Sequence, residues 1–431
     1  MGNDMPSIIR TALLTLALGA LVVGAAGCSG PASDAPPSES ASAEASDGRL
    51  VVVEDGLGAE LGEQLASAAT EAFAGISAPG AVIGVRTPEG TWAATIGFED
   101  WDETVPMAAD VNHRVGSVTK TFTVTALMQL AEQGELSLDD PIEQYVPGMP
   151  NGDATLFELG AMRSGIPSYT FDAEFEQKLF TDPNFVWTPE ALVDIVRGEE
   201  PMFAPGTMTF YSNTNTVLLG MVIEQVTGEP IEDVLQEQIF EPLGLDRTIF
   251  PTDASFPEPH AHGYTLQGVD DGVPVETTDW NPSWGWTAGS VISDLDDLLT
   301  WSEALVTGDG LLAPEWQQQR IDSFDFSLPV YTGEGTTAPQ TEARAYGLGL
   351  GLALGWYGHD GTMPGFNTVL QHHLESGTTL IVMANSDIKS GECPDGTGTV
   401  DGGRTTGTCA DPAVFIGNAL AEVVGHPNVE Q

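Results

Sequence analysis

The strand signal in this chain is split between its two ends, and that split limits the possible folds more than any other feature. Near the start, Ala81 to Arg86 and Thr91 to Phe98 are apolar and β-branched, with Pro88-Glu89-Gly90 as the turn between them. Far downstream, Asn367 to Leu374 and Thr378 to Ala384 repeat the arrangement around Glu375-Ser376-Gly377, after a glycine-rich, strand-like stretch from Tyr346 to Leu354. Between them the periodicity is helical: Thr121 to Gln133 closed by Gly134, Pro189 to Arg197, Val217 to Thr227, Ile231 to Phe240, and Asp294 to Val306 with Ser293 as N-cap. Helical patterns at Leu57 to Ala74 and Ala413 to Val424 flank the strands. Two distant hairpins share a sheet only if both ends of the chain close it. The expected fold is therefore α+β: an antiparallel sheet flanked by the terminal helices, with a mainly helical lobe of roughly 125–290 inserted. The site would lie between the two lobes.

The N-terminal residues carry a different signal. Arg10 precedes an apolar run, Thr11 to Ala26, that is short for a membrane span and suited to a signal-peptide core. It ends in Ala25-Ala26-Gly27-Cys28, small residues before a cysteine, as expected of a bacterial lipoprotein signal over 1–27 with Cys28 lipidated. Ala25 stands where leucine is more usual, and the alternative is an ordinary secreted protein with an incidental cysteine. Residues 28–49 are Ser, Ala, Pro and acidic residues without an aromatic, a composition that cannot offset its own chain entropy and reads as a stalk. Residues 50–426 remain for one hydrolase-sized domain, expected to be monomeric and held at the outer face of a bacterial membrane.

Charge excludes some partners. Thirteen Lys plus Arg against 63 Asp plus Glu give a net charge of −50, which argues against nucleic acid or an anionic lipid face. Cys393 and Cys409 are the other cysteines, and outside the cytoplasm a nearby pair usually forms a disulfide, here closing a glycine-rich loop for about 3 kcal/mol. The metal-like spacings His260-x-His262 and His372-His373 lack a third ligand, so no metal or other cofactor is expected.

The chemistry-bearing segment is Ser117-Val118-Thr119-Lys120. Residues i and i+3 share a helix face, so the Lys120 amine can reach the Ser117 hydroxyl and, if burial lowers its pKa, take the proton. The other lysines are only Lys178 and Lys389. Alone, the tetrapeptide also reads as a helix serine near a solvated lysine. Tyr211-Ser212-Asn213 places a phenol and an amide at a helix entry, where a phenol can relay a proton and an amide can bridge groups; its other reading is a capping turn. Tyr357-Gly358-His359-Asp360-Gly361-Thr362 enters the final strands and also reads as a turn with a solvated histidine. Trp280, Trp284 and Trp286, in one loop, suit either a cleft wall or packing between lobes.

In this order, the three segments resemble the serine β-lactamase and D-alanyl-D-alanine carboxypeptidase family, in its class C branch. Supporting phrases are Arg114-Val115-Gly116, Met162-Arg163-Ser164-Gly165-Ile166-Pro167, Glu241-Pro242-Leu243-Gly244-Leu245 and Tyr346-Gly347-Leu348-Gly349-Leu350. The resemblance implies that Ser117 forms an acyl-enzyme with Lys120 as base, that Tyr211 moves protons, and that Asn213 holds Lys120 and the substrate. It makes His359 a polar donor lining the pocket beside Asp360 and Gly361, and the backbone N–H groups of Ser117 and Thr362 the oxyanion hole. Two departures bear on substrate. Leu350-Gly351-Leu352 has no arginine where the carboxypeptidases bind a free carboxylate, and Asp360 replaces the usual Thr or Ser. Both favour an ester, an amide or an amidated peptide over a β-lactam or a D-Ala-D-Ala terminus, the substrate being a small molecule or a peptidoglycan-derived peptide. A non-catalytic penicillin-binding-type module is the rival reading.

Overall fold

Both hairpins enter one sheet. The structure is a computed structural model that describes residues 48–427 apart from 270–271, 334–335 and 392–408. Cys28, the signal, most of the stalk and Cys393 therefore lie outside the described residues. The elements that position the site are β1 (Val51–Asp55), α1 (Ala59–Phe73), β2 (Gly80–Thr87), β3 (Gly90–Gly97), α2 (Thr119–Gln133), α3 (Ala173–Thr181), α4 (Asn213–Thr227), α5 (Leu295–Thr307), β4 (Ala345–Tyr346), β5 (Gly351–Ala353), β6 (Trp356–Met363), β7 (Phe366–His373), β8 (Thr378–Ala384) and α6 (Pro412–Val423). The strand order is β1-β3-β2-β8-β7-β6-β5-β4 and every neighbouring pair is antiparallel. The β2–β8 ladder, from Ala81 opposite Ala384 to Arg86 opposite Thr379, is where the two ends of the chain join.

Terminal helices α1 and α6 cover one face, burying Leu65, Ala69, Ile83, Val382, Ile416 and Leu420. On the other face α5 lies so close that a Cβ at Gly84 would stand 2.7 Å from Leu295 Cδ1. This second core runs without a break from Val82 and Met383 into the helical residues Leu127, Leu218 and Leu235, so the lobes share one interior. Helix α2 is buried on every side from Thr119 to Ala131. Its threonines are tolerated there because their hydroxyls bond: Thr121 to the Val118 carbonyl, Thr125 to that of Thr121, and Thr121 again to Trp301 Nε1. Gly134, left-handed at φ 78°, ends the helix.

Several local expectations are corrected. Strand β1 has both faces exposed and so shows no alternation to read. The stretch 346–354 is two short strands, β4 and β5, separated by a turn with Gly349 at φ 72°. The third motif sits in the middle of β6, paired with β7 from Trp356–His373 to Met363–Phe366, and is not a turn. Asp294, not Ser293, caps α5, because its carboxylate accepts from Asp297 N while Ser293 Oγ bonds Thr248. The base of the cysteine loop is closed by the reciprocal Ser390–Ala410 backbone pair at 3.0 and 2.9 Å.

Candidate active site

Ser117 lies in the single 3₁₀ turn Gly116–Val118 that leads into α2, and it is the one residue from Val111 to Lys120 that is not buried. In a 3₁₀ turn residues i and i+3 nearly eclipse, which sets Lys120 against Ser117. Lys120 Nζ stands 3.0 Å from Ser117 Oγ and donates at 2.6 Å to the Ala288 carbonyl. The amine is fully buried, and that desolvation pulls its pKa well below the ordinary lysine value, with the Asp360 carboxylate acting weakly the other way. One N–H held by Ala288 leaves a neutral amine its lone pair for the serine proton. The Ala288 carbonyl is not identifiable from sequence, because a backbone acceptor leaves no side-chain signal.

The Tyr211 phenol hydrogen-bonds Ser117, and its ring centroid is 4.9 Å from Lys120 Nζ. The ring is 37% exposed, but the hydroxyl end is enclosed, and burial pushes its pKa well above 10, so the free protein holds a neutral phenol. Beside it, His359 and Tyr346 pack edge-on, with centroids 5.8 Å (Tyr211–Tyr346) and 5.6 Å (Tyr346–His359) apart. The Asp360 carbonyl can only accept, so His359 Nδ1 carries a proton and donates to it. Burial holds the imidazole neutral, with a pKa of about 4. Its Nε2 lone pair therefore accepts from the Tyr346 hydroxyl at 3.0 Å. Both ring nitrogens are used inside the protein, which corrects the expectation of His359 as a donor to the pocket. Tyr346 enters the sequence reading only as part of a supporting phrase.

Asn213 is also corrected. It begins α4, its N–H donates to Ser168 Oγ at 3.0 Å, and its amide Nδ2 donates to Thr170 Oγ1 at 3.1 Å. Both Lys120 contacts go elsewhere, so Asn213 does not hold the lysine. Asp360 is exposed, and Gly361 is not pocket surface but a backbone contact: a Cβ there would stand 1.9 Å from Val115 O. A Cβ at Gly116 would in turn meet Thr362 N at 2.6 Å. These two glycines bring the Ser117 and Thr362 backbones together at one edge of β6. Trp284 lines a cavity with Asn213 and Thr362, whereas Trp280 packs on Phe180. Among the described residues no group of His, Cys, Asp and Glu could hold a metal ion, and His262 bonds Glu276 while His372 bonds Thr379.

A hydroxyl, a desolvated amine and a neutral phenol in contact, in front of paired backbone N–H groups, define a serine acyl-transfer type of site. The family model described as Beta-lactamase matches residues 65–398, and the chain belongs to that family of serine hydrolases. It is 29% identical over 271 residues to the putative penicillin-binding protein PbpX of Bacillus subtilis, covering 62% of this chain and 60% of that protein's length. Among solved structures it is similar to a D-stereospecific amidohydrolase from Streptomyces sp., at 34% identity and TM-score 0.65 over 74% of this chain and 94% of that one. It is also similar to the D-amino acid amidase from Ochrobactrum anthropi SV3, at 26% identity and TM-score 0.69 over 85% and 99%.

Proposed function

We propose that this chain hydrolyses amides or esters of amino acids, of the D series, through an acyl-enzyme on Ser117. The observation that carries the reading is the buried Lys120 amine between Ser117 Oγ and the Ala288 carbonyl. Ser117 Oγ attacks the acyl carbon while its proton passes to Lys120 Nζ. The Ser117 and Thr362 N–H groups receive the developing oxyanion. Tyr211, a neutral phenol, then protonates the leaving nitrogen or oxygen as the C–N or C–O bond breaks, and is recharged from Lys120. Water attacks the acyl-enzyme by the same route in reverse, giving one carboxylic acid and one amine or alcohol per water consumed.

Substrates lacking a free carboxylate fit best. Asp360 is near enough to act on Lys120, Tyr211, Tyr346 and His359, and that negative field opposes a second carboxylate. His359, neutral and internally bonded, offers no compensating cation. The likeness to the D-stereospecific amidohydrolase and the D-amino acid amidase supports the D-amino amide class. Fluorophosphonate labelling that disappears in Ser117→Ala is the primary test, followed by kcat/KM for D-amino amides, a D-Ala-D-Ala peptide and a chromogenic cephalosporin. An unlabelled wild type would favour the non-catalytic binding module. A D-Ala-D-Ala peptide hydrolysed faster than any amide or ester would overturn the substrate class. Export and lipid anchoring through Cys28 belong to the same proposal, checked by fatty-acid labelling that Cys28→Ala abolishes.

A further inference from the structure

A cavity of about 200 Å³ opens beside Asn213 and Thr362, the residues that border the reacting centre on α4 and β6. Its apolar walls are Phe175, Leu179 and Phe180 on α3 and Trp284 from the tryptophan loop. These walls are braced. Phe175 is buried and packs on Tyr169 and Trp284, with centroids at 5.1 and 6.3 Å. The Tyr169 hydroxyl donates to the Trp284 carbonyl at 2.6 Å, and Phe180 is backed so closely by Gly268 that a Cβ there would stand 2.4 Å from its ring.

Size and polarity limit the occupant. An apolar cavity of about 150 Å³ is enough to bind benzene. Clefts for drug-sized ligands run to roughly 300–1,000 Å³. The space beside Asn213 therefore suits one aromatic or branched aliphatic side chain and not a larger fused group. One charged residue, Glu176, also lines it; the side chain is exposed, and among the described residues its carboxylate has no hydrogen-bond or ion-pair partner. An unpaired carboxylate beside an apolar pocket complements a group that carries a cation next to an apolar side chain.

We infer that this pocket takes the side chain of the substrate's acyl half, and that the preferred acyl group is an amino acid with an aromatic or branched apolar side chain and a free α-ammonium beside Glu176. The inference rests on the Ser117 acyl-enzyme reading and assigns the pocket that reading leaves open. A blocked amine forfeits the Glu176 contact, and a methyl side chain leaves the walls unfilled.

The test compares kcat/KM for the amides of D-phenylalanine, D-leucine, D-alanine and N-acetyl-D-phenylalanine in the wild type, Glu176→Gln, Leu179→Trp and Phe180→Ala. Hydrophobic pockets discriminate by about 10- to 200-fold per methylene, so D-phenylalanine and D-leucine amides should exceed D-alanine amide by at least 10-fold. Leu179→Trp fills the cavity and should erase that preference; Phe180→Ala, which removes bulk and so does not overpack, should admit D-tryptophan amide. N-acetylation should cost the wild type an order of magnitude, and Glu176→Gln should remove most of that difference while p-nitrophenyl acetate hydrolysis stays unchanged. Equal rates for D-alanine and D-phenylalanine amides, or an N-acetyl effect indifferent to Glu176, would overturn the inference. Fluorophosphonate labelling of each variant separates the two failures, since loss of labelling strikes the acyl-enzyme reading and retained labelling isolates the pocket.

Discussion

Gly361→Ala adds a single methyl group at the contact that brings β6 to Ser117. The new Cβ would stand 1.9 Å from Val115 O, 2.9 Å from Val115 C and 3.1 Å from Ser117 N. Carbon–oxygen contacts settle near 3.3–3.6 Å, so the two segments must separate by roughly 1.4 Å. No flexible side chain can yield, because every atom met is backbone. On its other side β6 is held by the ladder to β7, with Gly361 opposite Thr368. A misplacement of about 1 Å is worth on the order of 100-fold in rate, and loss of one oxyanion donor about 100- to 1000-fold. Expected, then, is a kcat/KM lower by at least about 100-fold on esters and amides alike, with a matching fall in the fluorophosphonate labelling rate. Overpacking typically costs about 1–3 kcal/mol, so the variant should remain folded, which circular dichroism melts would verify. A folded Gly361→Ala protein with wild-type kinetics would refute the claim that this backbone contact builds the oxyanion site.

Three other perturbations address individual groups. Lys120→Met should lower acylation by about 10²–10⁴, and in the wild type the labelling rate should rise with pH as the ammonium form is lost, with a midpoint well below 10.5; a midpoint at the ordinary lysine value would contradict the desolvated base. Tyr346→Phe removes the donor that stabilises neutral His359, so the imidazole pKa should climb from about 4, read from its Cε1–H shift by NMR; an unmoved value would show that Tyr346 does not hold that nitrogen. Asp387, buried and accepting from Thr265 and Gln267, has its pKa raised by burial to about 6 from 3.8, so the folded state binds its proton more tightly. That contribution is present below pH 3.8 and is lost as pH rises to about 6, by roughly 1.4 kcal/mol per unit at most. In urea melts Asp387→Asn should lack this decline, whereas parallel stability curves for variant and wild type would contradict the assignment.

Features set within a few residues are legible in the amino-acid sequence. The 3.6-residue and two-residue periods mark α1, α2, α6, β2, β3, β7 and β8, because each buries a face that its own residues must supply. Strand β1 leaves no such mark because neither of its faces is buried, and β4 and β5 leave none because a few residues carry no period. The Ser117–Lys120 pair is legible for the same local reason, being one turn apart. Tyr346 is not, because a tyrosine between an alanine and a glycine carries no sign of what it will touch.

What the sequence by itself determined is the inventory of this site: a hydroxyl and an amine at i and i+3, a phenol and an imidazole in a recognisable order, and enough strand at both chain ends to close one sheet around them. What only the tertiary structure decided is the state of each group. Lys120 is a candidate base because Ala288, 168 residues away, and the surrounding core remove its water. His359 turns inward to Tyr346, and Asn213 to Thr170 rather than to the lysine. The physical reason is that desolvation and hydrogen-bond partnership depend on what packs against a side chain, and in this fold those neighbours come from segments that meet only when the sheet closes.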